Sequence, residues 1–408
     1  MMNADIRKQP IHVLLLENID PLAHKMFEEE GYIVHTEKSS FDSAELIERL
    51  GNISILGIRS KTKIDRRLLD NAPKLLAIGA FCIGTNQIDI SAATQKGIAV
   101  FNAPFSNTRS VVELALCEII MLIRGVFDKS RKLHEGRWAK TAENNFEVRG
   151  KKLGIIGYGN IGAQLSILAE ALGMDVYYYD LVDKLTLGNS KKCSSMEELI
   201  RIVDIVTVHV DGRKENQNLI SDAQFRMMKK GVIFLNLSRG FVVDIQALVR
   251  HIHMGNVCGA ALDVFPEEPR NNSEKFFSEL QNLPNVILTP HIGGSTEEAQ
   301  RNIAEFVPLK IINFINTGGT ISSVNLPNMQ LPELSNAHRL IHLHQNVPGI
   351  MAKINHALAH NNINIVCQYL KTNDDIGYVI TDIYKEYDER VIDDIRSIPQ
   401  TIKFRILY

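Results

Sequence analysis

Three side chains in the middle of the chain are of the types that move a proton and hold an anion: Arg239, a glutamate of the adjacent pair Glu267-Glu268, and His291. A histidine titrates near neutral pH, so it can take a hydroxyl proton and give it back. A carboxylate hydrogen-bonded to its ring orients it and favours the charged form. A guanidinium can grip a substrate carboxylate and polarise a carbonyl as it forms. Taken singly, each has a bland reading: Arg239 as a surface ion pair, Glu268 as a loop charge, His291 as a capped loop residue. Each, however, follows an apolar strand-like run (GVIFLNL, GAALDVF and NVILTP), and ligands of open parallel sheets bind outside the carboxyl ends of strands. Together they read as the apparatus that oxidises a secondary alcohol while hydride leaves for a cofactor.

The cofactor is suggested upstream. Gly157-Tyr158-Gly159-Asn160-Ile161-Gly162 is a G-x-G-x-x-G run that follows the apolar stretch Leu153–Ile156 and opens a helix with apolar Ile161, Leu165, Leu168, Ala169 and Leu172. Gly157 permits the tight turn, Gly159 lets backbone N–H groups approach a pyrophosphate, and Gly162 lets helix and strand pack closely. Asp180 ends the next strand, eighteen residues after Gly162. Its carboxylate suits ribose hydroxyls and repels a 2′-phosphate, which predicts NAD rather than NADP.

The elements that must position these groups are legible as alternating runs. IHVLLL, YIVHT, ISILGI, LLAIGAF and IAVFN read as strands separated by amphipathic helices, a parallel-sheet pattern. A helix over about Ser110–Arg124 follows, and then a second series: KKLGIIG, MDVYYYD, DIVTVHV, GVIFLNL, GAALDVF and NVILTPH. After a helix over about Glu297–Ile315, the Gly- and Pro-bearing TGGTISSVNLPNMQLPEL reads as a linker. The remainder has the order β-α-β-β-α-β, with HRLIHLH first and TIKFRILY last. The fold class is therefore α/β: two doubly wound parallel-sheet domains, one of them Rossmann-like, and a C-terminal ferredoxin-like unit.

Composition is that of an ordinary soluble globular protein. The 408 residues are 45% hydrophobic and 23% charged with a net charge of −2, which gives no global electrostatic case for nucleic acid or an anionic membrane. No apolar run reaches membrane-spanning length, because even LALCEIIMLIRG is interrupted by Glu118. Five cysteines, scattered and without a C-x-x-C pair, fit a reducing compartment, so the expected location is cytoplasmic. His342 and His344 share a strand face, but no third ligand cluster accompanies them, so no metal site is expected.

The segments GKKLGIIGYGNIG, NLSRGFVVD, ALDVFPEEP and LTPHIGGST resemble the signatures of the D-isomer-specific 2-hydroxyacid dehydrogenases. RSKT, AIGAFCIGTNQID, FNAPFSNTRSVVE and HRLIHLHQNVPG are similar to the bacterial, ACT-domain-bearing branch that oxidises 3-phosphoglycerate. The resemblance covers nearly the whole chain. It implies oxidation of 3-phosphoglycerate to 3-phosphohydroxypyruvate with NAD, the first step of serine biosynthesis. It also implies that Arg239 binds substrate, that Glu268 partners the histidine because it directly precedes the proline, and that His291 is the general acid/base. The cofactor contacts it implies are Gly157, Gly159, Asn160, Ile161, Gly162, Asp180, His209, Leu237, Ser238, Arg239, Asp263, His291, Ile292, Gly293 and Gly294. For the substrate it points to Arg59, Ser60 and Lys61 after ISILGI, Ile83 and Gly84 after LLAIGAF, and Lys140, since a phosphate dianion needs fixed cations. The domain division expected is 1–106 with 299–330 for substrate, 107–298 for NAD, and 337–408 as a regulatory ACT domain.

In the resembling enzymes serine binds at the pairing of two ACT domains and inhibits; His344, Asn346 and Asn364 match the effector positions. A homotetramer follows from the same resemblance, with Trp138 in a segment used as an inter-subunit arm, ordinary core filling being the alternative. The sequence departs from the family pattern at Asp211-Gly212-Arg213, where a proline is usual, and at the bulky Leu237 and Phe241. Two other functions stay open at this point: a dehydrogenase of another 2-hydroxy acid such as 2-hydroxyglutarate, and a non-catalytic NAD-sensing binding protein.

Overall fold

The computed structural model describes residues 10–269, 272–333, 336–388 and 390–408. The first nine residues of the substrate-domain reading, Leu334 of the linker reading and Glu389 of the ACT-domain reading lie outside the described residues. Two compact units are present: one runs up to Pro104 and resumes from Arg301 to Tyr408, and the other is Phe105–Gln300.

In the first unit, strands β1 (His12–Leu15), β2 (Ile33–Thr36), β3 (Ile55–Ile58), β4 (Ala77–Ala80) and β5 (Ala99–Asn102) form a parallel sheet of order β2-β1-β3-β4-β5. Every residue of β3 and β4 is buried, as expected for strands covered by helices on both faces. The strand order reverses at β1/β3, so the loops leaving those two strands diverge to opposite sides.

The second unit holds β6 (Lys152–Ile156), β7 (Asp175–Tyr179), β8 (Lys191–Lys192), β9 (Ile205–Val208), β10 (Val232–Asn236), β11 (Val257–Leu262) and β12 (Val286–Leu288). Their order is β12-β11-β10-β9-β6-β7-β8, all parallel, which is the Rossmann order with its reversal at β6/β9. The helix Thr108–Arg124 packs Val112, Ala115, Ile119 and Leu122 onto this sheet. It begins two residues before the sequence expectation. The short β8, a Lys-Lys pair, carries no apolar alternation and was not foreseen.

The C-terminal strands β13 (His338–Gln345), β14 (Ile365–Thr372), β15 (Ile376–Ile383) and β16 (Thr401–Leu407) form an antiparallel sheet of order β14-β15-β13-β16. With the helices Ile350–His360 and Arg390–Arg396 this is the expected ferredoxin-like arrangement. One feature differs from a module on a tether. β15 is buried along its whole length, because both faces of the sheet are covered. Leu340 and Val379 pack with Ile354 and Leu358 of the first helix and Val391 and Ile395 of the second, while Ile341, Leu343, Tyr378 and Ile380 join Ile311 and Phe314 in the core of the first sheet. Arg339, fully buried, grips Asp382 through Nε and Nη2 at 2.7 Å each, and its Nη1 donates to the carbonyls of Thr317 and Pro332.

The linker reading is corrected as well. Val324 N donates to Val100 O at 2.8 Å, and the Asn325 amide bonds Val100 N and Ile98 O at 2.9 Å each. Ser323, Val324 and Asn325 therefore stitch the segment to the edge of β5, and Gly318 O accepts from Tyr378 Oη of the C-terminal sheet, so the segment does not span solvent. Its Gly and Pro residues serve turns: Gly318 has φ +78°, and a Cβ there would lie 2.7 Å from Ile341 Cδ1.

Candidate active site

The glycine-rich turn joins β6 to the helix Asn160–Ala171. Gly157 has φ +93°, and an added Cβ would lie 2.6 Å from His209 O at the end of β9. At Gly162 a Cβ would lie 2.3 Å from Gly157 O, so only glycine lets the helix start this close to the strand. Gly159, by contrast, has nothing within 4 Å of a Cβ position, and it and Asn160 are exposed at the helix N-terminus. Two glycines thus satisfy packing, and the third opens a cradle of backbone N–H groups where the helix dipole favours negative charge. Asp180 completes it: Oδ2 accepts from Tyr158 N at 2.8 Å and Oδ1 from Val182 N at 2.9 Å, which fixes the carboxylate at the mouth. The residues fit a dinucleotide.

His209 contributes a wall. Its Nε2 meets Thr207 Oγ1 at 2.9 Å, and burial pushes the ring down to about pKa 4, so it stays neutral. Beside it, Asp211 and Arg213 form an ion pair with Nε–Oδ1 at 2.8 Å, and Asn216 Nδ2 donates to the same Oδ1. This charged turn stands where the resembling enzymes carry proline. The bulky Leu237 is 6% exposed within the core, and Phe241 packs on the adjoining cluster.

Arg239 and the glutamate approach through backbone contact. A Cβ on Gly240 would lie 1.9 Å from the carbonyl carbon of Phe265, so the chain after Arg239 lies flat against the start of the loop that carries Glu268. Asn236, fully buried at the end of β10, shapes the turn: Oδ1 accepts from Ser238 N and Oγ, and Nδ2 donates to Arg239 O at 3.0 Å. Glu268 Oε1 then accepts from Phe265 N at 3.1 Å, and Oε2 meets His291 Nδ1 at 2.8 Å.

His291 sits at φ +54°, a left-handed conformation uncommon outside glycine, held by its N–H to Thr289 O at 2.9 Å. The hydrogen bond that its Nδ1–H donates to Glu268 raises its pKa, against the downward pull of burial. Burial pushes the Glu268 carboxyl up, but the bond and charge of His291 prevail and hold it below its usual range. With Nδ1 committed to the carboxylate, Nε2 faces outward on a half-exposed ring.

Asp263 is 2% exposed and directs its carboxylate inward, to Thr289 Oγ1 at 2.6 Å and to the N–H groups of Ile292 and Gly293 at 2.8 Å each. It therefore fixes the loop on which His291 stands. Below it Glu118 is 1% exposed, its two oxygens without a hydrogen-bond partner among the described residues. Burial, reinforced by the charge of Asp263, pushes that acid up to about 8. Asn236, Thr289 and Glu118 were missed by sequence reasoning; a polar residue closing or interrupting an apolar run was the available signal.

In the first unit, Arg59 is half-buried while Ser60 and Lys61 are exposed in the loop after β3; Ile83 and Gly84 lie in the loop after β4. Lys140 is exposed in the irregular stretch after the helix Val126–His134. Trp138 is 79% exposed, which removes the core-filling alternative. In the C-terminal sheet His344 is buried, its Nδ1 donating to Gln345 O at 2.7 Å and its Nε2 lacking a partner among the described residues. Asn346 Nδ2 donates to Asn373 O at 2.7 Å. Asn364 is exposed just before β14, which pairs Ile365 with Ile383, whereas His344 pairs with Gly377 at the other end of β15. At 3.3 Å per residue the two ends are about 20 Å apart. His344 and Asn364 of one chain therefore do not meet. Among the described residues no helix is long and apolar enough to cross a membrane.

Residues 116–293 match the family described as D-isomer specific 2-hydroxyacid dehydrogenase, NAD binding domain, and residues 340–403 match the AHAS small subunit-like ACT domain. The chain is 48% identical over 401 residues to a D-3-phosphoglycerate dehydrogenase of Dictyostelium discoideum, with 98% of each covered. It is 47% identical to that of Haemophilus influenzae, again with 98% of each covered. Among solved structures, a D-lactate dehydrogenase from Aquifex aeolicus complexed with NAD and lactic acid is similar at TM-score 0.68 and 25% identity, covering 78% of this chain and 100% of that one.

Proposed function

The chain belongs to the D-3-phosphoglycerate dehydrogenases, within the D-isomer-specific 2-hydroxyacid dehydrogenases, and from that premise we propose how its residues divide the reaction. It is an NAD-dependent oxidoreductase that converts D-3-phosphoglycerate to 3-phosphohydroxypyruvate. The observation that carries the assignment of roles is the 2.8 Å His291–Glu268 bond, on a loop braced by Asp263, next to the Arg239 turn.

NAD, held by the turn Gly157–Gly162 and by Asp180, supplies the hydride acceptor. His291 Nε2 takes the C2 hydroxyl proton as the C2–H bond gives up its hydride, and the product ketone forms. Glu268 holds the ring through Nδ1 and stabilises the imidazolium as it forms. Arg239 binds the substrate carboxylate and the oxygen that becomes the carbonyl. Arg59, Ser60, Lys61, Ile83, Gly84 and Lys140 are the remaining substrate groups, the cations among them serving the phosphate.

We assign the residues to substrate (1–106 and 299–330), NAD (107–298) and regulatory (337–408) domains, which the three separate sheets support. Serine is the effector proposed for the C-terminal sheet. His344, its Nδ1 donating to a carbonyl, presents Nε2 as a buried acceptor suited to an ammonium or hydroxyl. Because Asn364 lies too far from His344 in one chain, the site is completed by a second copy, consistent with a homotetramer. The location is cytoplasmic.

The test is NADH formation from 3-phosphoglycerate and from 2-hydroxyglutarate, compared by kcat/KM with and without serine. Faster turnover of the acid without phosphate overturns the substrate assignment. His291→Ala is expected to abolish turnover while NADH still binds; retained turnover removes His291 from its role. A rate unmoved by millimolar serine overturns the effector.

A further inference from the structure

Both substrate loops of the first unit are tied down by side chains that belong to neither the phosphate-binding nor the catalytic set. Glu17, two residues past the end of β1 at the β1/β3 reversal, is 7% exposed and adopts φ +62°. Its Oε2 accepts from Lys61 N at 3.0 Å and its Oε1 from Thr62 N at 2.8 Å. Gln87 Nε2 donates to Arg59 O at 2.6 Å and to Gly84 O at 3.2 Å, which joins the loop after β3 to the loop after β4. Asn102, closing β5, donates to Ile83 O at 2.6 Å. The bases of the two loops are already paired through Ile64 N to Gln87 O and Asp89 N to Ile64 O, both 2.8 Å. The side-chain contacts therefore govern the outer, ligand-bearing tips.

We propose that Glu17 and Gln87 are positioning residues that preorganise the substrate loops and thereby set the affinity for the phosphorylated 2-hydroxy acid. This rests on the function proposed above. The Glu17 carboxylate occupies the two N–H groups that would otherwise offer an anion a backbone nest, so the phosphate must be read by the side chains of Arg59, Ser60 and Lys61. It also anchors the backbone from which those side chains project, so their entropy is spent in folding and not in binding. Gln87 fixes the spacing between the cationic loop and Gly84. Neither residue contacts the group that takes the proton, so the effect falls on KM.

Glu17→Gln keeps the volume but turns one amide N–H towards a backbone N–H donor. Gln87→Leu keeps the bulk and deletes the donor. Steady-state kinetics of both are measured beside NADH affinity by fluorescence. Each variant is expected to raise KM for 3-phosphoglycerate about tenfold or more, with kcat within about threefold and NADH affinity unchanged. Unchanged KM overturns the proposal, and so does a loss of kcat or NADH binding in step with KM, since that marks general unfolding. Should Glu17→Gln fail to fold, Gln87→Leu at a half-buried loop position decides. Wild-type protein that does not turn over 3-phosphoglycerate sinks the functional reading instead; the same comparison is then made with the 2-hydroxy acid that it does oxidise.

Discussion

Cofactor choice can be worked from Asp180. Its carboxylate is fixed by the N–H groups of Tyr158 and Val182 at 2.8 and 2.9 Å, so it cannot swing away from a 2′-phosphate. At about 4 Å, two unit charges interact by about 1 kcal/mol in water and about 4 kcal/mol at an effective dielectric of 20. Asp180 is half-buried, and the phosphate carries between one and two charges, so about 2–4 kcal/mol of repulsion is expected. At about 1.4 kcal/mol per tenfold, NAD should exceed NADP in kcat/KM by about 30- to 1,000-fold. The nearby Arg213 offers little relief, because its guanidinium is committed to Asp211 at 2.8 Å. Asp180→Asn removes the charge while Oδ1 still caps Val182 N. The ratio should then collapse to within about tenfold of unity, mainly through better use of NADP, with some loss for NAD as a ribose acceptor weakens. The assay is initial-rate kinetics with each cofactor at fixed substrate. A wild-type ratio near one, or a ratio that Asp180→Asn leaves unchanged, refutes the electrostatic reasoning.

Glu268→Gln removes the carboxylate charge that strengthens the bond to His291 and raises its pKa, so the acid limb of oxidation should move to lower pH and the alkaline limb of reduction should move down with it; pH–rate profiles in both directions check this, and unmoved limbs refute it. Glu118 holds its proton up to about pH 8 in the fold but releases it near the usual carboxylate value when unfolded, so the native state binds more protons between those values and stability falls as pH rises through the interval. Glu118→Gln should flatten that slope and add up to about 3 kcal/mol at pH 7, read from urea denaturation at pH 5.5 and 7.5; an unchanged slope refutes it. Asp382→Ala strands the fully buried Arg339 guanidinium and should cost about 3–5 kcal/mol, whereas an exposed pair such as Arg149–Glu147 should cost under about 1 kcal/mol by the same denaturation assay.

Much of this was legible because the relevant physics is local. The G-x-G-x-x-G turn announces its packing in the glycines themselves: at Gly157 and Gly162 the backbone leaves no room for a Cβ. Strand-end placement of Arg239, Glu268 and His291 follows from reading apolar runs as buried parallel strands. The linker was misread because Gly318, Gly319 and the prolines signal turns whether or not those turns are buried. Only the distant partners of Ser323 and Asn325 on β5 decide that, and they are more than 200 residues away. The docking of the C-terminal sheet was hidden for a similar reason. Charged residues on a terminal strand carry no signal of burial, yet Lys403 Nζ reaches Leu75 O at 2.8 Å and Arg405 Nη2 reaches Ile315 O at 3.0 Å. Their alkyl stems lie in an apolar core that no single segment specifies.

The residues that brace the site loops share a device. Parallel strands end with backbone groups that the next loop must satisfy, and here a polar side chain at or just past the strand end does so: Glu17 after β1, Asn102 closing β5, Asn236 closing β10, Asp263 after β11. In each case the partner is backbone of a loop assigned to binding or catalysis. Backbone fixation leaves the side chains of Arg59, Lys61, Arg239 and His291 free for ligands while removing the motion that would blur their placement. Such a residue looks inert to chemistry-first reading, since it points at amides and carbonyls and never at substrate. Its cost explains its rarity: a buried carboxylate is tolerated only when several N–H groups meet it, as they do at Glu17 and Asp263. Glu118, equally buried but lacking such donors among the described residues, takes the other solution and keeps its proton.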